Sequence, residues 1–171
     1  MMYRPNLVAN YFIKKSLDTG TAIIPIKLLK LVCIAHGWYL ALTEEDLINE
    51  GIQAWKFGVV IPSVFHKFKI YGNENVTATA QFDTPDWSTD PFEKGEDISN
   101  LSLIAARDKL FLDRMWELYR DFTPLQLASL TTEKNTPWDI VWKNQIDKNK
   151  TETLIPNDLI KQYYKGLLKS A

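Results

Sequence analysis

Apolar residues recur at helical spacing in six stretches of the chain, and a proline stands just ahead of each. Pro5 precedes Leu7, Val8, Tyr11 and Phe12; Pro25 precedes Ile26, Leu29, Val32 and Cys33, with the pattern running on to Trp38 and Leu42; Pro62 precedes Val64, Phe65 and Phe68. Thr123-Pro124-Leu125-Gln126 has the form of a capping box, and Thr136-Pro137-Trp138-Asp139 is an acidic variant of it. Pro156 opens the last pattern, through Leu159, Ile160, Tyr163, Tyr164 and Leu167. Proline suits a first helical turn because its missing N–H would have had no intrahelical partner there. A further amphipathic helix, predicted as the longest, spans Ala105 to Phe122. Phe111, Met115, Leu118, Tyr119 and Phe122 form its stripe, and Lys109 with Asp113 and Arg114 with Glu117 are spaced to pair on its wet side.

Two segments change period. Gly51 to Ile61 alternates, with β-branched and aromatic residues between glycines, and Asn75 to Ala80 alternates likewise. Both are expected to be short strands. The fold class that follows is mainly α (α+β), a compact helical domain with a short β-hairpin-like element around residues 51–61 and 75–80. Residues 1–171 read as one domain, because 171 residues with 46% hydrophobic and 24% charged side chains suffice for one core of their own. Phe82 to Ser99 is an acidic loop insertion with six acidic side chains against Lys94, a net −5, broken by Pro85, Pro91 and Gly95. Its aromatics Phe82, Trp87 and Phe92 favour a docking loop, and the alternative is a mobile insertion.

Charge and cysteine content narrow the function. The net charge of −1 gives no electrostatic reason to expect nucleic-acid binding, and one cysteine excludes an internal disulfide framework. No leader pattern opens the chain, and Ile23 to Leu42, the most apolar stretch, is interrupted by Lys27, Lys30 and His36. It is therefore expected to be a buried core helix of a soluble protein, with no membrane insertion. Cys33 and His36 share a helix face, with His66 as a third potential ligand, but a structural zinc site wants four, and an apolar setting raises a thiol pKa and so disfavours a nucleophile. The acidic loop lacks the ligand spacing of a calcium loop, and the seven scattered glycines form no phosphate cradle. No metal site, cofactor or catalytic residue is assigned.

Aromatic content stands out. Trp38, Trp116 and Trp142 are expected in the core at helical spacing. The run Trp55 to His66 reads two ways, as a buried strand-to-helix corner or as a surface that offers aromatic and cationic anchors to a protein partner. On the second reading the candidate partner-binding residues are Trp55, Lys56, Phe57, Val60, Pro62, Phe65, His66 and Lys69, with Trp138.

The same residues carry a resemblance. Ala9 to Lys15, Ile26 to Leu31 running into Ala35 to Leu42, Ala54 to Phe68, Leu127 to Thr131 leading to Pro137-Trp138, and Ile155-Pro156 follow in an order that resembles the Panacea antitoxin domain family, which includes SocA-type and phage-linked GepA-type proteins. Val59 stands where that family usually has the first proline of a Gly-Pro-Val-Val-Pro run, and Thr132 where histidine often follows threonine, so this chain supports no catalytic use of that position. The resemblance implies a cytoplasmic antitoxin of bacterial or prophage origin that binds a protein toxin encoded beside it. It also implies, as an alternative, an adaptor that delivers a bound protein to a protease. A small hydrolase with His36 or His66 as general base is the competing enzyme reading.

Overall fold

A computed structural model describes residues 1–83, 95–145 and 153–171. Among them, seven α-helices surround two small antiparallel sheets: α1 Pro5–Thr19, α2 Pro25–Thr43, β1 Gln53–Trp55, β2 Gly58–Val60, α3 Pro62–Phe68, β3 Phe82–Asp83, β4 Glu96–Asp97, α4 Ala106–Tyr119, α5 Pro124–Thr132, α6 Pro137–Lys143, β5 Thr153–Leu154 and α7 Asn157–Lys169. Five helices begin on the predicted proline, and Pro156 caps the sixth. The capping box at α5 is complete, with the Thr123 hydroxyl accepting from the Gln126 N–H and the Gln126 amide accepting from the Thr123 N–H. At α6 the box shifts by one residue, since Asp139 accepts from the Asn135 N–H.

Helix α2 is the axis of the molecule. It packs against α1, α3, α4, α5, α7 and β2, so most of its residues are buried. The three polar residues that interrupt its apolar run are buried with it. Each finds an acceptor: the Lys27 amine donates to the Arg120 carbonyl, the Lys30 amine to the Val59 carbonyl at 2.8 Å, and His36 Nε2 lies 3.3 Å from Asn157 Oδ1. Helix α2 is also long and apolar enough to cross a membrane by length and composition alone, but here it is enclosed by the fold. Trp116 is fully buried as expected, whereas Trp38 is partly buried, its indole N–H donating to the Tyr119 hydroxyl at 2.8 Å. Trp142 departs from its expected core place: it is half-buried outside the core, stacked parallel to Trp138 at 5.7 Å.

The strands correct the sequence reading in two ways. Gly51 to Ile61 folds on itself as the hairpin β1–β2, with Gln53 opposite Val60 and Trp55 opposite Gly58, and the outer edge of β1 is taken by β5, which lies about a hundred residues later. Asn75 to Ala80 is not a strand. Its backbone bonds go elsewhere: the Val76 N–H donates to the Ile23 carbonyl, and the Asn10 side chain both accepts from the Ala80 N–H and donates to its carbonyl. An extended segment held by a buried asparagine needs no strand partner. The ends of the acidic insertion pair instead, Phe82 with Asp97 and Asp83 with Glu96, and are fastened to α1 by Arg4 and by Asn6, whose amide donates to Asp83 at 2.8 Å. Residues 84–94 of that insertion lie outside the described residues.

Helix α4 is shorter than predicted, ending at Tyr119. Arg114 and Glu117 pair at 3.3 Å, but Asp113 faces α1, where it accepts from the Tyr11 hydroxyl at 2.8 Å and pairs with Lys15 at 3.0 Å, in place of Lys109.

Candidate functional site

The hairpin β1–β2 turns through Lys56 and Phe57, and Gly58 carries the unusual backbone, at φ 138°. A side chain at position 58 would be strained by that φ and would also meet the Lys30 amine, 2.6 Å from an added Cβ. The hairpin tip is thus pressed against α2, and the Lys30 amine ties the two together through the Val59 carbonyl. Val59 supplies that carbonyl whatever its side chain, so the absence of a proline there costs the contact nothing. Thr132 packs near the same point and donates its hydroxyl to the Ala128 carbonyl at 2.9 Å, a helix-internal bond.

Between the hairpin, α2 and α3 lies an open groove of about 320 Å³, lined by Ile26, Leu29 and Lys30 from α2, Trp55 to Gly58 and Val60 from the hairpin, and Phe65 from α3. A second depression of about 300 Å³ adjoins it, sharing Ile26, Leu29 and Phe65 and ending at Lys69. Large apolar side chains are left in water here: Phe57 is 84% exposed, Ile26 42% and Phe65 38%. Contiguous exposed apolar surface beside polar groups is the common signature of a protein-binding face. The Trp55 ring meets Phe65 edge-on at 5.2 Å, which fixes the groove wall, and the Lys56 amine stands 5.3 Å from the Phe57 ring centroid.

Of the nine candidate residues, Trp55, Lys56, Phe57, Val60 and Phe65 line the groove and Lys69 its neighbour. His66 packs on Phe65 and lies with its Nδ1 3.2 Å from the Lys69 amine, and Pro62 starts α3 behind them. Trp138 stands apart: its indole N–H donates to the Trp55 carbonyl at 2.8 Å, and its ring lines a different, apolar cavity of about 30 Å³ with Cys33 and Tyr164. That cavity has room for about one water. Ile26, Leu29 and Lys30, which also line the groove, were not among the sequence candidates. The spacing of Ile26, Leu29 and Lys30 put them on one helical face, but the groove they line exists only with the hairpin, which sequence did not place against α2.

Two of the residues considered for catalysis, Cys33 and His36, are poorly set for it. Burial pushes the Cys33 thiol up to about 12, away from the thiolate a nucleophile needs. Burial holds the His36 imidazole below its usual range, outweighing the Asn157 hydrogen bond and the charge of Asp46, and the residue is sealed from solvent. Among the described residues no group of three or more His, Cys, Asp or Glu is arranged to hold a metal ion.

Residues 28–139, which span α2, the hairpin and the helices through the start of α6, match the family described as Antitoxin SocA-like, Panacea domain. The chain belongs to the Panacea family. The matched span of this Panacea chain contains every candidate residue and all the groove-lining residues except Ile26. It is also similar to the protein named Antitoxin SocA from Caulobacter vibrioides (strain NA1000 / CB15N), 27% identical over 139 residues that cover 78% of this chain and 68% of that protein. No solved structure gives a significant match.

Proposed function

We propose that this chain is a cytoplasmic antitoxin that neutralises a co-encoded protein toxin by direct contact, through the face made by the hairpin tip, Ile26 and Phe65. The observation that carries the reading is Phe57, a phenylalanine 84% exposed at the tip of a two-residue turn. Holding a large ring in water is unfavourable by itself, and aromatic anchors of this kind dominate protein interfaces. Membership of an antitoxin family and likeness to a protein named as an antitoxin support a toxin as the partner.

The test is a toxicity rescue. The neighbouring open reading frame is expressed alone and then with this protein, and the pair is purified through a tag on one of them. Growth arrest relieved by co-expression, with a stable complex, is the expected result, and an unchanged toxin half-life in the rescued cells separates blocking from delivery to a protease. A harmless neighbour that forms no complex would overturn the proposal.

A further inference from the structure

The two ring nitrogens of His36, which is sealed from solvent, are unequally served. Nε2 lies 3.3 Å from the Asn157 amide oxygen, while Nδ1 is buried with no hydrogen-bond partner among the described residues. The other end of Asn157 fixes its orientation, because its amide nitrogen donates to Asp46 at 2.6 Å. A neutral imidazole suits this setting: Nε2–H donates to Asn157, and Nδ1 keeps a bare lone pair. A second proton would turn Nδ1 into a buried, charged N–H without an acceptor. It would also set a cation beside Asn157 at the N-terminus of α7, the positive end of that helix.

The element that must give way is the cover. Helix α7 supplies Asn157 and is held lightly: Ile160 and Tyr164 are its only buried residues, and Pro156 provides no side-chain cap. Its ties to Glu44, from Lys161 and Lys165, are partly exposed. The chain just before it is fixed, since Ile155 is buried and its N–H donates to the Ile52 carbonyl at 2.8 Å. Pro156 is therefore the hinge. Charged groups nearby leave the imidazole alone with Asp46, whose charge favours the proton but is outweighed by burial. Asp158 pairs with Lys161, Asp139 of α6 with Lys143, and Asp108 of α4 with Tyr3 and Tyr39, while α5 carries no charged residue. The Cys33 thiol and Tyr164 hydroxyl stay protonated through burial.

We infer that α7 is an acid-released latch: protonation of His36 breaks its contact with Asn157 and lets α7 swing away from α2 about Pro156 while the rest of the fold persists. Release uncovers Cys33 and the small cavity that Ile160, Tyr163 and Tyr164 close from the α7 side. The folded imidazole lies below its free value of 6.5, so the latch is closed above that pH and opens as the pH falls below it.

Hydrogen exchange read by mass spectrometry on the whole protein, at pH 7.5 and 5.5 and corrected for the intrinsic rate of exchange, tests this. Protection of residues 157–169 should fall about five- to tenfold at the lower pH, the change that uptake of one proton near 6.5 gives, while that of residues 106–119 changes less than about twofold. His36→Gln should hold the protection of α7 level, and His66→Gln should respond as the unaltered protein does. Unchanged protection of α7, an equal loss in α4, or an acid response that survives in folded His36→Gln would overturn the inference. If His36→Gln fails to fold, Cys33 decides it in the unaltered protein and in His66→Gln. Its labelling by N-ethylmaleimide, divided by that of glutathione at the same pH, should rise by the same factor in both, and no rise in either one would overturn the inference.

Discussion

At Gly58 the backbone and the packing impose the same demand, since φ 138° disfavours any side chain and the Lys30 amine occupies the space one would need. Gly58→Ala is expected to lower stability by about 1–3 kcal/mol, measured by urea unfolding. Two buried groups set the response to acid. His36 is held below its unfolded value of 6.5, so the unfolded chain takes up its proton first, and stability present above that pH declines as the pH falls below it. Asp108 behaves as a second, lower step: burial raises its carboxyl, but the hydroxyls of Tyr3 at 2.6 Å and Tyr39 at 2.9 Å, with Arg107, outweigh this and hold it below 3.8. Its contribution is therefore present above that value and lost as the pH drops through it. Melting temperatures followed from pH 8 to pH 3 should show both declines, and His36→Gln should abolish the upper one alone. At this scale sequence was least legible. Lys27, Lys30 and His36 read as polar breaks in an apolar run, and nothing in the run itself tells that a carbonyl or amide from Arg120, Val59 or Asn157 will meet each one inside the core.

Elements were read more securely, because a proline in the first turn and an apolar repeat are local signals that survive without knowledge of the fold. The capping box at Thr123 is one such signal, and Thr123→Ala should cost about 1 kcal/mol in thermal or chemical unfolding without altering the fold. Strands proved harder, since a strand is defined by its partner. The alternation in Asn75 to Ala80 is real, but Asn10 and Ile23 satisfy its backbone, while Thr153–Leu154 became a strand through the free edge of β1 and not through its own pattern. The packing of α7 on α2 rests on Gly37, where an added Cβ would overlap the Tyr164 ring. Gly37→Ala should therefore push the helices apart and destabilise the protein by about 1–3 kcal/mol, a loss that Tyr164→Ala in the same chain would not add to in full.

On the scale of the whole molecule, binding and stability are assigned to different surfaces. Phe57→Ala should leave the melting temperature unchanged, because the ring is in water already, and should weaken partner capture by about 2 kcal/mol, measured by titration with the purified partner. The groove itself was half legible: Trp55 to Phe65 stood out as a block, but its second wall, on α2, appears only when the hairpin folds back across roughly thirty residues of sequence. Helix α2 has a consequence for how the protein is made. Its covers α4, α5 and α7 all follow it in the chain, the last ending at Lys169, some 126 residues after Thr43. At about 5–20 residues per second, synthesis leaves the most apolar helix without its full cover for roughly 6–25 s. During that interval Lys27 stands in water, and its charge keeps the emerging helix from partitioning into lipid or joining another chain; its amine meets the Arg120 carbonyl only after α4 has been made, whereas Lys30 finds the Val59 carbonyl once the hairpin folds.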